Sequence, residues 1–181
     1  MLSLADIETL FQRRGAEQYS GEPVTQLEHA LQCAALAQAQ DADEELTTAC
    51  LLHDLGHLLH DLGETPTLRG VDDVHQFAAL PSLRALFGPR VLGAIQLHVD
   101  AKRYLCATRP GYHANLSADS KRSLVLQGGV FSAAQSAAFM ARTGAGDAVT
   151  LRLCDDAAKL AGAVTPPLGH FLQRAARCTR V

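Results

Sequence analysis

The chain has 181 residues and no run of about 18 consecutive apolar residues, so no segment reads as a membrane-spanning helix. The layout of a secretion signal is missing as well, because Asp6 and Glu8 interrupt the apolar positions near the start. A cytoplasmic location is therefore expected. There is no basic excess: the 16 Lys and Arg against 19 Asp and Glu leave a net charge of −3. That balance gives no reason to expect nucleic acid or an anionic membrane as partner. The five cysteines (Cys33, Cys50, Cys106, Cys154, Cys178) are odd in number and lack the C-x-x-C spacing. Neither a disulfide framework nor a thiolate zinc site fits such a set, and four of them fall in helical stretches as small core filler. Sustained period-two alternation is also absent, as are internal repeats and low-complexity segments, so strands are not expected.

What is present is helical punctuation. Ser3 caps a first helix that runs to about Arg14, and Gly21 and Pro23 mark the loop over 18–23. A second helix is expected from Thr25 to about Gln40, and a third, capped by the Asp41–Asp43 turn, from Glu44 to about Leu59. Residues 61–73 contain Gly63, Pro66 and Gly70 and no periodicity; a loop of this length inside a small domain tends to be functional. Short helices follow over 74–80 and 81–88, with Pro81 in the first turn of the latter. Pro89 then opens a longer helix to about Leu105, and Arg109-Pro110-Gly111 breaks it. Ser117 caps a helix ending at Gly128-Gly129, and Ser132 with Gln135 forms a capping box for the next. The last two helices are expected over about 147–161 and after Pro166-Pro167, where Arg174, Arg177 and Arg180 read as a solvated face. The expectation is one all-α domain of about eight or nine helices over residues 1–181. Its core would span about 24–161, preceded by a helix and loop over 1–23 and followed by a helix over 166–181.

Within that scaffold, Leu52-His53-Asp54-Leu55 places an imidazole beside a carboxylate among leucines. Burying both without a partner costs several kcal/mol, of order 2–7 each, so a compensating group is needed, and a metal ion is the obvious candidate. His29, His53, His75 and His98 are separated by 24, 22 and 23 residues. About that many residues make one helix and its return, which brings each histidine to the same end of a bundle. Asp155 adds an acid within a helix of leucine and alanine. The set His29, His53, Asp54 and Asp155 mixes imidazole with carboxylate, which suits iron, manganese or zinc.

At these residues the chain resembles the HD-domain superfamily, whose His…HisAsp…Asp order falls on His29, His53-Asp54 and Asp155. Further segments are similar to one subgroup, the mixed-valence diiron oxygenases of organophosphonate breakdown. These are Gly21-Glu22-Pro23 with Gln26-Leu27-Glu28-His29, the stretch from His98 through Lys102-Arg103-Tyr104-Leu105, Asn115-Leu116-Ser117, and Gln127-Gly128-Gly129. The resemblance implies a six-ligand site for two iron ions, Fe(II)/Fe(III), held by His29, His53, Asp54, His75, His98 and Asp155 with Asp54 bridging. It implies oxidative cleavage of a C–P bond with O2, releasing inorganic phosphate and a carboxylic acid. Substrate contacts carried over are Tyr19 and Glu22 in a loop over the site, His57, Ser120 and Gln127. Lys102, one turn after His98, offers a cation for the phosphonate. Lys159 is expected to pair with Asp155 or another ligand carboxylate. His60, His113 and His170 have no place in the pattern and are expected at the surface.

The resemblance makes the substrate a 1-hydroxyethylphosphonate carrying a 2-amino or 2-trimethylammonio group, with glycine or glycine betaine as the second product. A 2-oxoglutarate-dependent hydroxylase acting upstream would supply it. Val71-Asp72-Asp73-Val74-His75-Gln76 departs from the aminophosphonate pattern, in which a glutamate follows the histidine, so the nitrogen substituent stays open. Asp72, Asp73, Tyr19, Phe77 and Tyr104 are the anionic and aromatic residues that could face a quaternary ammonium. The alternatives are a metal-dependent phosphohydrolase of the wider HD class, an inositol-oxygenase-like ring cleavage, and a regulatory module with a degenerate site. His75 and His98 argue against a mononuclear hydrolase, and the full ligand set argues against the last.

Overall fold

Capping chemistry sets most of the helix starts. In the computed structural model, which describes residues 2–19, 21–63 and 65–180, Ser3 and Asp6 form a reciprocal capping box for α1 (Leu4–Arg14). Ser20 and Glu64, within the two loops expected from sequence, lie outside the described residues, as do Met1 and Val181. Thr25 and Glu28 cap α2 (Gln26–Ala39) in the same way, and Asp43 caps α3 (Glu44–Leu52) through the Leu46 amide. Three single-turn helices follow in the chain: α4 (His75–Ala78), α5 (Leu80–Leu83) and, later, α7 (Tyr112–Asn115). Between them α6 (Pro89–Thr108) is the longest, opened by a first-turn proline. Then come α8 (Ala118–Leu126), α9 (Ala133–Met140), α10 (Ala145–Ala157) and α11 (Leu168–Arg177). No strand occurs among the described residues. None of their helices is long and apolar enough to cross a membrane.

The core is the four-helix contact of α2, α3, α6 and α10. Fully buried Cys33, Cys50 and Cys154 meet there with Leu51, Ile95 and Leu151, and all five cysteines are free thiols. α1 and α11 cover this core from outside. Smaller apolar clusters join the second half of α6 to α8, α9 and α10.

Four helices are shorter than the sequence expectation, and three of the differences involve the histidines. The helix expected over 44–59 stops at Leu52. Asp54 leaves helical geometry (φ −103°, ψ 11°), and Leu55–Leu59 form a tighter 3-10 turn. Gly56 in that turn lies against the backbone of His75, where a Cβ would sit 2.2 Å from the carbonyl oxygen. The helix expected to reach residue 161 ends at Ala157, because the Ala158 carbonyl turns aside to accept from His29 Nδ1 at 2.9 Å. The helices expected over 74–80 and 81–88 are reduced to single turns. Val74, which the first was to include, sits in the left-handed region at φ 46°. In the arginine face expected to be solvated, Arg177 and Arg180 are exposed and Arg174 is half-buried; Arg174 and Arg177 both pair with Glu44, at 2.8 and 3.0 Å.

Candidate metal centre

Six buried side chains from five elements converge at one end of the four-helix core. His29 comes from the first turn of α2, His53 and Asp54 from the exit of α3, His75 from the start of α4, His98 from mid-α6 and Asp155 from the last turn of α10. Each histidine is oriented by its outer nitrogen. His29 Nδ1 donates to the Ala158 carbonyl, His53 Nδ1 to that of Cys50 (2.9 Å) and His98 Nδ1 to that of Ile95 (2.7 Å). His75 Nδ1 is the exception and meets the Asp73 carboxylate at 2.8 Å. Since all four partners only accept, each Nδ1 carries the proton and each Nε2 presents a lone pair inward.

Those lone pairs face one another. His29 Nε2 lies 3.2 Å from His53 Nε2, and His75 Nε2 lies 3.0 Å from His98 Nε2. Two neutral imidazoles in this arrangement repel unless a cation sits between them. The carboxylates supply the complementary charge. Asp54 Oδ2 lies 3.3 Å from His53 Nε2 and 3.6 Å from His29 Nε2, while Oδ1 lies 3.3 Å from His75 and 3.5 Å from His98. Asp155 Oδ1 stands 3.5 Å from His29 Nε2. The Oδ1 atoms of both acids are buried and accept no hydrogen bond. The result is two triads, His29–His53–Asp155 and Asp54–His75–His98, each with its donor atoms within 4.8 Å of one another. Mixed nitrogen and oxygen donors around orphaned carboxylate oxygens are a donor set that could hold transition-metal ions.

The electrostatics point the same way. Burial would raise the Asp54 carboxyl, but His53, His57 and His75 outweigh it and hold the group well below the usual carboxylate range. Asp155 is likewise lowered, against burial, by Arg152 and the histidines. Burial pushes His29 down to about 4 and His98 well below its ordinary value, so both stand as neutral ligands. His53 runs the other way: with Asp54 beside it, its imidazole rises to about 9 in spite of burial, so without a metal a proton on Nε2 stands where the cation would.

A cleft opens onto this cluster, and most of the expected substrate contacts line it: Tyr19, His57, Lys102, Ser120 and Gln127. Tyr19 donates to Asp54 Oδ2 at 2.8 Å and stacks on the His29 ring. Lys102, only 3% exposed, donates to Ser123 Oγ at 2.7 Å. Gln127 Oε1 is buried without a partner. Glu22 is not on the cleft wall; it pairs with Lys159 at 3.0 Å. Lys159 thus meets Glu22 rather than Asp155, since α10 ends before it and the residue leaves the Asp155 face.

Arg152 takes the place expected of Lys159, binding Asp155 Oδ2 at 2.8 Å through Nη1. Its guanidinium also donates to the Tyr112 hydroxyl at 3.2 Å and pairs with Asp156. Sequence reasoning missed this arginine, although its place three residues before Asp155 on one helix was a readable signal. It missed Asp73 as a partner of His75 too, two residues away. His60 is half-buried, 3.5 Å from Asp73 Oδ2, rather than at the surface. His170 is half-buried against Gln38, and His113 is exposed as expected. Of the aromatic residues considered for a quaternary ammonium, Tyr104 packs on Phe139 and Phe77 is half-exposed, both off the cleft wall. Asp72 and Asp73 line it.

Comparison with known proteins adds two relatives of nearly full length. One, from Leisingera caerulea, is the glycine-betaine-forming 1-hydroxy-2-(trimethylamino)ethylphosphonate dioxygenase, 40% identical over 162 residues, 90% of this chain and 83% of the relative. The other, from Gimesia maris, is hydroxymethylphosphonate dioxygenase, 42% identical over 170 residues, 93% of this chain and 84% of the relative. No family model matches the chain.

Proposed function

The chain belongs to the phosphonate dioxygenase family, and on that premise we propose that it uses O2 to cleave the C–P bond of a small 1-hydroxyalkylphosphonate at two iron ions, Fe(II)/Fe(III). The observation that carries the two-ion reading is the division of one carboxylate between two histidine pairs, Asp54 Oδ2 toward His29 and His53, Oδ1 toward His75 and His98. His29, His53 and Asp155 would hold one ion, His75 and His98 the other, with Asp54 shared. Bound there, iron supplies redox chemistry with O2 and Lewis acidity toward the hydroxyl and phosphonate oxygens. The order of these ligands supports an HD-type helical domain over the whole chain.

The protein's own groups bind and orient. Lys102 and Arg152 set two cations on one cleft wall, with Ser120 and Gln127 as hydrogen-bonding neighbours, and this wall takes the phosphonate. His57 and Tyr19 close the cleft over the shared carboxylate, with Glu22 and Lys159 bracing the Tyr19 loop. The carbon substituent is a 2-amino or 2-trimethylammonio group. That reading is supported by the trimethylamino relative and by Asp72, a carboxylate on the cleft wall with no cationic partner among the described residues. The co-product of phosphate is then glycine or glycine betaine. The hydroxymethylphosphonate relative supports a second reading in which no such group is needed. A 2-oxoglutarate-dependent hydroxylase places the hydroxyl upstream, and the reaction takes place in the cytoplasm.

The test is anaerobic iron loading followed by EPR and then phosphate release under O2. A mixed-valence signal and O2-dependent phosphate from the hydroxyphosphonate are expected. Zinc-loaded protein that hydrolyses phosphate esters without O2 would replace this reading with the phosphohydrolase one.

A further inference from the structure

His75 differs from the other three histidines of the cluster in what holds it. His29, His53 and His98 rest on backbone carbonyls within or beside regular helices. His75 opens a single-turn helix after the irregular segment, and its Nδ1 rests on a side chain, Asp73. The same carboxylate accepts from His57 through its other oxygen, at 2.7 Å, and its Oδ1 lies 3.3 Å from the His75 amide. The His57 and His75 rings are stacked with centroids 4.2 Å apart and planes 27° from parallel. Asp73 therefore spans the edges of two parallel imidazoles, one in the metal cluster and one on the cleft wall. At 2.7 and 2.8 Å these contacts are hydrogen bonds, which leaves no room for an ion among His57, Asp73 and His75.

The backbone is distorted to make that contact. Val74, between Asp73 and His75, has φ 46° and ψ 33°. A β-branched residue in the left-handed region is a true outlier, of order 1–3 kcal/mol, and persists only where its surroundings impose it. The left-handed residue bends the chain so that the side chain before it folds back onto the ring after it. Gly56 locks the other face, since any Cβ there would collide with the His75 carbonyl.

We infer that Asp73 is the positioning residue of the His75–His98 ion site, a carboxylate that fixes His75 and His57 together and so ties occupancy of that site to the cleft wall. The inference rests on the two-ion reading above. An anionic acceptor on Nδ1 orients the ring and makes Nε2 a stronger donor than a neutral carbonyl does, and losing such support lowers metal affinity about 10–100-fold. In Asp73→Asn the amide nitrogen faces one of the two Nδ1–H groups, so one contact is lost while the shape is kept.

Mn(II) titration followed by EPR counts bound ions without calling on activity. Wild-type protein is expected to take up two. Asp73→Asn should bind one ion within about twofold of wild type and the other about 10–100-fold more weakly. Asp73→Glu, which keeps the carboxylate, should lie between, and it serves as the test if the asparagine variant does not fold. The iron-loaded variant should also lose the mixed-valence EPR signal at iron concentrations that saturate wild type. Two ions bound by Asp73→Asn as tightly as by wild type overturn the inference. So does an equal weakening of both, which is what a purely structural role gives. Fewer than two ions bound by wild type would instead remove the two-ion reading, and the inference with it.

Discussion

The two halves of the metal cluster contain similar atoms and are built in different ways. His29, His53 and Asp155 stand on α2, the exit of α3 and α10, and all three are buried among the main core cluster. Both imidazoles of that half are anchored by main-chain carbonyls that no substitution removes. The other half joins His98, anchored within α6, to His75, which depends on a strained residue, a glycine contact and a carboxylate. Folding of the four-helix core assembles the first half outright. The second half is completed by His75, which follows the irregular residues 70–74. Segments with few buried apolar contacts open at low free energy, so the second half is expected to be the more adjustable one; both halves reach the cleft, the second through His75 and His98 and the first through Asp155.

The comparison breaks most completely at the one residue the halves share. Asp54→Ala removes the oxygen facing each histidine pair, so both ions should be lost in the Mn(II) titration, with affinities down by more than the roughly 100-fold a supporting residue costs. Retention of one tight ion by this variant would show that Asp54 serves a single site. Next in size, Gly56→Ala drives a methyl into the His75 carbonyl. Overpacking of this kind costs about 1–3 kcal/mol. It should lower the melting temperature and release the ion of the His75–His98 half alone. Equal loss from both halves would mean that the halves are not separable.

A smaller effect concerns the cleft wall. Burial, with Arg152 nearby, brings the Lys102 ammonium down to about 7. Below that pH the group is charged and, on the proposed reading, would bind the phosphonate; above it the neutral amine would not. KM should therefore rise as pH passes upward through about 7, by about tenfold, the lower end for a charge-assisted hydrogen bond. Lys102→Ala should show the raised KM at every pH with no such step. A step that survives in the variant assigns it to another group.

How much of this was legible in the sequence follows the same division. The all-helical class and the capped helix starts are local properties, and Ser3, Thr25, Ser117 and Ser132 mark them in the chain. The histidine spacing did mark residues that meet in one cluster, but a helix and its return fill only the interval from His29 to His53; 3-10 turns and irregular chain separate His53 from His75, and two single turns and half of α6 lead on to His98. Helix ends were harder, since tertiary contacts decide them. Nothing local in Asp54-Leu55-Gly56 announces that Gly56 must abut His75, or that Ala158 must leave the helix to accept from His29. The supporting residues escaped for a related reason. Ser123 reads as an ordinary polar residue and Asp73 as a candidate wall for an ammonium group until folding shows what they face, whereas the spacing of Arg152 to Asp155 was readable.

The smallest expected effect tests whether the firmness of the first half comes from its own core or from the outer helix clamped on it. Glu44, in the first turn of α3, receives both Arg174 and Arg177 of α11. The glutamate is 31% exposed and Arg177 67% exposed, so solvent screens much of the attraction, and each such pair contributes about 0–1 kcal/mol. Glu44→Gln should lower the melting temperature by a few degrees at most, with a loss that shrinks as salt is added. Both Mn(II) affinities should remain at wild-type values, because the ligands of α3 lie at its far end, beyond two turns of buried apolar packing. Selective weakening of the His29–His53 ion in this variant would show that the clamp reaches the metal. The rigidity of that half would then belong to α11 as much as to the core.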